Sequence, residues 1–469
     1  MKKNLPFYFL TLSIFLLIIS PFIFTRGMFV DGIVYANFSK NYAIGEASFL
    51  HPFFSQTYLI NFNSHPPMFF FLQGQAFKIF GTSFLVERFY SIICIVITGI
   101  ITMKIYKKLD LKTSFLPLFF LISIPLITWS ATNNIIENTL IIFTSLSALF
   151  YINSLDNKRF LFVILAGISL AMGFSIKGFV AFFPLSLPFI YWLVIRKTKF
   201  KRMFFDTLII IIFSVSPILI SMYSSTEVMD YFTNYFNKQI IGGLQNTVTT
   251  DYRFYIVVRF LRELIIPIII IILFDFILRW KRKTSIFNNK ENNRKALMMF
   301  LFSLTGVLPI LVSMKQSGFY LLPAFPFAAI AFSALIDENI NNSISKINQK
   351  SKGFSILKYI SIFILIISIS FPFLFFGEDS RDKKMLSDMD IIASYIPQKS
   401  IVNVPSQMSK EYSLFAYYAR FHNISINPNL KINSRYLLVS SECNYNFEEM
   451  KYRKVNLKTQ SFNLYEKEN

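Results

Sequence analysis

The chain has 469 residues, of which 54% are apolar, and it contains 57 phenylalanines. Its mean hydropathy is +0.50, and a soluble domain could not bury so much apolar surface, so the sequence predicts a polytopic membrane protein. The net charge of +21 at pH 7 does not indicate nucleic-acid binding, because lysine and arginine cluster in short loops between apolar runs, where they act as topology signals.

We predict an α-helical bundle of about eleven membrane spans, each of roughly 17–25 residues. The first apolar run resembles a signal peptide but has no small-residue cleavage site after it, so we expect a retained anchor. The predicted spans lie near 7–24, 89–105, 115–132, 135–152, 160–176, 179–195, 204–222, 260–278, 296–313, 319–335 and 356–376.

Basic clusters follow alternate spans, which places those loops and the N-terminus in the cytoplasm by the positive-inside rule. An odd number of spans then puts the C-terminus outside. From about Gly377 the sequence becomes polar, with strand-like runs (IVNV, YLLVS, FNLY) and helix-like runs (LSDMDIIASYI, EYSLFAYYARF). We therefore predict a catalytic membrane domain over 1–376, with outer loops at 25–88 and 223–260, and a small extracytoplasmic α/β domain over 377–469.

Asp31 follows the first span in FVDGIVYANFSKN. One interpretation is that it caps the next helix by accepting backbone N–H bonds, with Tyr35, Phe38 and Tyr42 lying flat on the bilayer. The functional interpretation, which is compatible with the cap, is a general base. A partly dehydrated carboxylate has a raised pKa and can take a proton from an acceptor hydroxyl or amine.

The run HPPMFFFLQGQAFKIFG predicts a helix in which Ser64 caps the start and Gly81 ends it. Its functional interpretation places His65 near a lipid-linked phosphate. Glu137 opens the fourth span in ENTLIIFTS. A helix dipole favours an acid there, but acids at membrane depth are rare and usually functional.

Several cations are predicted at the same outer membrane edge. Lys177 precedes Gly178 and could be an ordinary helix end, but it also places an ammonium group where an anionic headgroup would lie. In the loop 223–260, arginines including Arg259 can pair with phosphate or snorkel to headgroups. Lys315 and Tyr320 lie at the outer start of the tenth span. Two acids and several cations on one face suit a reaction on a lipid-linked phosphate.

At these residues the chain resembles the protein O-mannosyltransferase and aminoarabinose-transferase superfamily, the polyprenyl-phosphate-sugar enzymes with the GT-C fold. The resemblance covers about residues 1–335. It is carried by an ordered series of short motifs: VDGIVYANFSKN, HPPMFFFLQGQAFKIFG, LVERFYS, ENTLIIFTS, SIKGFVAFFP and KQSGFYLLPAFP. The region after residue 376 has no family match.

The resemblance implies that Asp31 is the catalytic base and that Glu137 matches a second acid, which is usually aspartate. It also implies that Lys315 and Tyr320 line the pocket of the donor phosphate. His65 occupies a position that is lysine in the aminoarabinose enzymes. That difference argues against a lipid A aminoarabinose transferase.

We therefore expect an inverting glycosyltransferase of the bacterial inner membrane that takes a sugar from a polyprenyl-phosphate donor on the extracytoplasmic face. The acceptor would be a lipid, a glycan or a protein. No cofactor is certain, and the sequence leaves a bound divalent cation open. Two alternatives remain: a polyprenyl-linked glycan transporter or flippase, which should carry charges inside several spans, and a lipid-glycan polymerase or ligase, which usually has one very large late outer loop.

Overall fold

Long apolar runs form most of the helices in a computed structural model of the protein, which describes residues 2–60, 62–245, 248–429, 432–442 and 451–468. Parts of the predicted loops 25–88 and 223–260 and of the predicted C-terminal domain therefore lie outside the described residues. The α-helices are α1 Leu5–Ile23, α2 Val30–Ala43, α3 Met68–Phe80, α4 Phe84–Lys108, α5 Leu116–Ile122, α6 Pro125–Ala131, α7 Ile136–Ser154, α8 Arg159–Lys177, α9 Leu187–Val194, α10 Phe200–Ser224, α11 Thr226–Tyr235, α12 Gly242–Gln245, α13 Tyr255–Glu263, α14 Ile265–Arg282, α15 Lys290–Thr305, α16 Phe325–Ser345, α17 Lys352–Ser370, α18 Lys383–Tyr395 and α19 Tyr412–Tyr417.

Within the described ranges, eight helical segments are long and apolar enough to cross a membrane, so the predicted membrane bundle is confirmed and the count of eleven is not. The predicted span 115–132 is two seven-residue helices, α5 and α6, with Pro125 opening the second. The two spans predicted over 160–195 form one continuous helical stretch, Arg159–Val194. The run predicted as 260–278 is divided between α13 and α14.

The chain divides into two compact units. The first, called here the span unit, comprises residues 1–20, 63–66 and 91–374. The second, called here the sheet unit, comprises residues 21–62, 67–90 and 375–469. The predicted boundary between independent domains at residue 376 stays a prediction.

The core of the span unit lies where α7, α8, α15 and α16 pack together. Its buried side chains are mainly isoleucine and leucine, mixed with small alanines that let membrane helices approach closely. Examples are Ile105, Tyr106, Ala148, Val163, Ala166, Leu170, Met298, Phe302, Phe327, Ile330 and Ala334.

The sheet unit contains a five-stranded mixed sheet, so the predicted small α/β region is confirmed. The strands are β1 Ile401–Asn403, β2 Ser425–Asn427, β3 Tyr436–Ser440, β4 Tyr452–Lys454 and β5 Phe462–Lys467, in the order β2-β1-β3-β5-β4. Strand β1 pairs in parallel with β2 and β3, whereas β5 pairs antiparallel with β3 and β4. The sequence analysis identified β1, β3 and β5 and missed the two three-residue strands β2 and β4, which are too short for an alternating pattern to be recognised.

Helix α2 is packed inside the sheet unit, against α3 and α19. Phe38 is 1% exposed, and its ring centroid lies 4.3 Å from that of Phe62 and 5.2 Å from that of Phe70. Tyr35 is also buried. The interpretation in which these rings lie flat on the bilayer is therefore wrong for Tyr35 and Phe38, because protein side chains cover them.

Buried charged side chains form an ion pair and hydrogen bonds within the sheet unit. The Arg420 guanidinium pairs with the Glu87 carboxylate at 2.8 Å, and both side chains are almost fully buried. The Lys40 ammonium donates to the carbonyl oxygens of Ala419 at 2.9 Å and Arg420 at 3.1 Å, and to Oδ1 of Asn423 at 2.5 Å. Each buried cation is thus matched by an acid or by oxygen acceptors, which a buried charge requires.

Candidate functional site

A cavity of about 240 Å³ in the span unit gathers four of the residues that the sequence analysis selected. Its lining includes His65, Lys177, Lys315 and Tyr320, which come from three separate parts of the sequence. Glu137 lies directly behind one of them. The cavity therefore brings together two ammonium groups, an imidazole and a phenol.

Lys177 is the last residue of α8, and Gly178 follows it at the C-cap with φ +72°. A glycine ends the helix there because this backbone conformation is strained for other residues. The Lys177 side chain is buried, its ammonium group pairs with the Glu137 carboxylate, and it lies 4.6 Å from the centre of the Tyr320 ring. An aromatic face and a carboxylate together stabilise the buried cation.

Glu137 is 1% exposed and lies in the first turn of α7. Among the described residues that line the cavity, Glu137 does not appear, whereas its partner Lys177 does. The observed contact is that of a residue that holds Lys177 in place. The catalytic role expected for Glu137 as a second acid stays a prediction.

Lys315 lies in the segment between α15 and α16, residues 306–324. Its ammonium group donates to Oε1 of Gln239 at 2.6 Å. Partial burial lowers the pKa of Lys315, and the positive charge of Lys177 lowers it further. The two ammonium groups thus repel each other, which an anion bound between them would relieve.

Gln316 anchors the segment that carries Lys315. Its side-chain amide donates to the carbonyl oxygens of Arg253 and Ser313, both at 2.9 Å, and accepts from the backbone N–H of Ile256 at 3.0 Å. The residue is 2% exposed. Sequence analysis missed Gln316, because its three partners include residues some sixty positions earlier in the chain.

His65 precedes the two prolines, and its backbone carbonyl accepts a hydrogen bond of 2.7 Å from the Tyr231 hydroxyl. Removal from water is the main cause that holds the pKa of His65 well below its usual range, and the charges of Lys177 and Lys315 add to the effect. The imidazole is therefore neutral at pH 7. It can offer a hydrogen bond to an anion but not a second full charge.

Arg259 differs from the other predicted cations in its ion-pair partner and in its position relative to the cavity. Its guanidinium pairs with Glu263, one turn later on α13, at 2.7 Å. It is not one of the described residues that line the cavity. The assignment of Arg259 to the donor phosphate stays a prediction that the cavity does not support.

Asp31 lies in the sheet unit, in the first turn of α2, one residue inside the helix start. The N-cap residue is Phe29, so the interpretation of Asp31 as the cap is wrong: the helix begins two residues earlier than expected. The acid is still favoured by the helix dipole. Its expected role as general base stays a prediction.

The helix that follows His65 also begins later than expected. Pro67 is the N-cap of α3, so the expected Ser64 cap is wrong, because the helix starts only after the second proline. Gly81 is confirmed as the C-cap, with φ +82° and its N–H bonded to the Phe77 carbonyl.

The sequence analysis missed three residues on one helical face that contact the cavity or its lining: Tyr231, Tyr235 and Gln239. Tyr231 bonds the His65 carbonyl, the Tyr235 hydroxyl donates to the Lys177 carbonyl at 3.4 Å, and Gln239 bonds Lys315. Their spacing of four residues was the available signal, since it places side chains on one side of a helix.

No three His, Cys, Asp or Glu side chains within the described ranges are grouped so that they could hold a metal ion. The cavity itself supplies ammonium groups and neutral hydrogen-bonding groups. That donor set suits an anion and not a hard divalent cation, which prefers oxygen ligands.

A family model described as dolichyl-phosphate-mannose-protein mannosyltransferase matches residues 64–220. That range contains His65, Glu137 and Lys177 but not Asp31, Lys315 or Tyr320. A comparison with curated protein sequences gives no match.

Solved structures match over nearly the whole chain. The crystal structure of ArnT from Cupriavidus metallidurans bound to undecaprenyl phosphate matches with a TM-score of 0.68 and 12% identity, over 97% of each chain. The oligosaccharyltransferase of Archaeoglobus fulgidus, tethered with an acceptor peptide, matches with a TM-score of 0.52 and 13% identity, over 94% of this chain and 69% of that one. The predicted resemblance is thereby confirmed: this integral membrane protein has the fold of the GT-C glycosyltransferase superfamily.

Proposed function

We propose that the protein is a membrane glycosyltransferase that moves a sugar from a polyprenyl-phosphate donor to a lipid, glycan or protein acceptor. The GT-C fold and the family model over residues 64–220 support the reaction class. The undecaprenyl phosphate bound to ArnT in its crystal structure supports the donor class. We place the reaction on the extracytoplasmic face of a bacterial inner membrane, with the C-terminal region outside, because the basic loops alternate in that sense.

The observation that carries this proposal is the cavity lined by His65, Lys177, Lys315 and Tyr320. A polyprenyl-phosphate sugar is a phosphodiester with one negative charge. Ammonium groups make short, strong hydrogen bonds to phosphate oxygens, and neutral imidazole and phenol groups can add further ones. The lining thus has the chemistry needed to bind a phosphate and to stabilise it as a leaving group.

In the proposed step, an acceptor O–H or N–H group attacks the anomeric carbon of the sugar. The bond between that carbon and the phosphate oxygen breaks, and the phosphate leaves with the electron pair. The acceptor proton passes to the Asp31 carboxylate. Attack from the side opposite the leaving phosphate inverts the anomeric centre. Lys177 and Lys315 act when the phosphate gains charge, which is when fixed cations lower the barrier most.

Binding of undecaprenyl phosphate to the purified protein tests the donor site. We expect Lys315→Ala to weaken binding by about 1.5–3 kcal/mol, or roughly 10- to 150-fold. Lys177 is tested together with its partner, as Lys177→Ala with Glu137→Gln, because a lone Glu137 carboxylate would be left buried and unpaired. Lys238→Ala is the matched control, since this exposed lysine lies beside Gln239 but outside the cavity lining.

Unchanged affinity in both the Lys315 and the Lys177 variants would overturn the donor site. Arg259→Ala belongs in the same series, because a loss of affinity there would extend the site beyond the cavity. Mass spectrometry of cell-envelope glycolipids and glycans, with and without the protein, tests the reaction. Lipid-linked sugar that crosses the membrane without any change in acceptor glycosylation would favour the flippase alternative.

A further inference from the structure

One segment of the span unit, residues 226–241, contacts the three parts of the chain that supply the cavity's nitrogen groups. It consists of α11 followed by one turn of π-helix, Phe236–Ile241. Tyr231 bonds the carbonyl of His65 at 2.7 Å, and Tyr235 bonds the carbonyl of Lys177 at 3.4 Å. The segment 226–241 is therefore one structural link between His65, Lys177 and Lys315.

Both tyrosines act as neutral hydrogen-bond donors. Burial is the main cause that raises the pKa of each phenol above its usual value. They stay protonated throughout the physiological pH range, so their contacts do not change with pH. These two contacts are thus independent of pH, and the residue of the segment that bonds the Lys315 ammonium group is Gln239.

Gln239 reaches from this segment to the ammonium group of Lys315, from which its carbonyl oxygen accepts a hydrogen bond at 2.6 Å. It also lines the cavity. A side-chain amide has its oxygen and its NH₂ group on opposite sides, so an amide that accepts from Lys315 has two N–H donors to offer elsewhere. A neutral donor beside an ammonium group is suited to a phosphate oxygen.

We propose that Gln239 is a positioning and specificity residue: its carbonyl oxygen holds the Lys315 ammonium group in its charged form, and its NH₂ group contacts the donor phosphate. The first part of this proposal, the effect of Gln239 on Lys315, concerns this chain alone. The second part, the contact between Gln239 and the donor phosphate, rests on the proposed function. Glutamine fits both parts, because leucine offers neither contact and glutamate offers the first while repelling the phosphate.

The charge on Lys315 responds to several groups near the cavity, and Gln239 is a neutral one that accepts a hydrogen bond from its ammonium group. Lys177 disfavours the charged form by repulsion, and Lys177 itself pairs with the Glu137 carboxylate. His65 is neutral at pH 7, and burial raises the pKa of the Tyr235 phenol, which therefore stays uncharged. Removal of the Gln239 acceptor should therefore lower the pKa of Lys315, and a carboxylate at 239 should raise it.

The test uses the full-length purified protein with Gln239→Leu, Gln239→Glu and the matched control Asn237→Leu, since Asn237 is an exposed amide on the same π-helical turn. The first readout is the pH dependence of Lys315 labelling by reductive methylation, followed by mass spectrometry. We expect the labelling midpoint to move to lower pH in Gln239→Leu, to higher pH in Gln239→Glu, and not at all in Asn237→Leu. A merely structural role would move both Gln239 variants in the same direction.

The second readout is binding of undecaprenyl phosphate at pH 7. We expect affinity to fall about tenfold or more in both Gln239 variants, the loss typical of a charge-assisted contact. Labelling midpoints that do not move in opposite directions would overturn the Gln239 assignment. Wild-type protein that does not bind undecaprenyl phosphate, with the midpoints moving as expected, would overturn the proposed donor while leaving the contact between Gln239 and Lys315 established.

Discussion

Replacing Gly178 by alanine adds one heavy atom, the Cβ atom, next to the candidate site. Gly178 has φ +72° and ψ −143°, a backbone conformation that is costly for any residue with a side chain. A Cβ atom at this position would also collide with the Tyr235 hydroxyl. Alanine would therefore push Tyr235 away from the Lys177 carbonyl, and so remove one of the contacts between α8 and the segment 226–241.

The sequence offers a matched control at Gly81. It is also the C-cap of a helix, with φ +82° and ψ −176°, but a Cβ there would meet no atom within 4 Å. In both variants the backbone strain should lower the free energy of unfolding by about 1–3 kcal/mol. In Gly178→Ala the lost hydrogen bond should add about 0.5–1.5 kcal/mol. The difference between the two variants isolates the displacement of Tyr235.

Thermal unfolding and binding of undecaprenyl phosphate measure the two effects. We expect Gly178→Ala to unfold at a lower temperature than Gly81→Ala and to bind undecaprenyl phosphate about three- to tenfold more weakly than wild type, since tenfold corresponds to about 1.4 kcal/mol. Gly81→Ala should bind as wild type does. Equal unfolding temperatures and equal affinities in the two variants would refute the idea that Tyr235 supports the cavity.

Three further predictions concern other parts of the chain. Asp31→Asn should fold, because the two side chains are nearly isosteric and the weakened interaction with the helix dipole costs about 0.3–1 kcal/mol, but transfer should fall by roughly two to four orders of magnitude; near-normal transfer would exclude Asp31 as the base. Burial and the charge of Arg420 lower the pKa of Lys40 to about 7. Above that pH the unfolded state binds one more proton than the folded state, so the free energy of unfolding should rise between about pH 7 and 10. Lys40→Met should flatten this rise in denaturant titrations, and an unchanged slope would mean that Lys40 stays charged. Reporter fusions at Lys283 and Glu378 should report opposite sides of the membrane, and signals from the same side would overturn the predicted topology.

Much of the span unit could be predicted because apolar length and helix-ending residues are local signals. The run before Lys177 and Gly178 predicted a helix end, and the structure has it there. The same reasoning placed the end of α3 at Gly81. It failed at helix starts next to prolines and at Asp31, since a shift of two or three residues decides whether a polar side chain is the cap or lies elsewhere.

The candidate site could be predicted only in part, because its contacts join distant parts of the sequence. Charge at the membrane edge selected Lys177 and Lys315, whose side chains the structure brings to one cavity. It could not show that Gln239 bonds Lys315, since the two residues are 76 positions apart. It also grouped Arg259 with the cavity cations, although Glu263 lies one turn away and pairs with it.

The pairing of Lys177 with Glu137 changes how the charge of the cavity is understood. Lys177 is balanced by a buried carboxylate, His65 is neutral at pH 7, and Lys315 is held by a neutral amide. The cavity and its support thus carry about one net positive charge, which matches a phosphodiester donor. The product, a phosphate monoester, carries about −1.5 to −2 charges at pH 7. A cavity with this charge would neutralise the donor fully and the product incompletely, so the excess charge would favour release of polyprenyl phosphate after transfer. On the proposed function, Glu137, which pairs with Lys177 and is outside the described lining, would aid turnover by limiting the positive charge of the site.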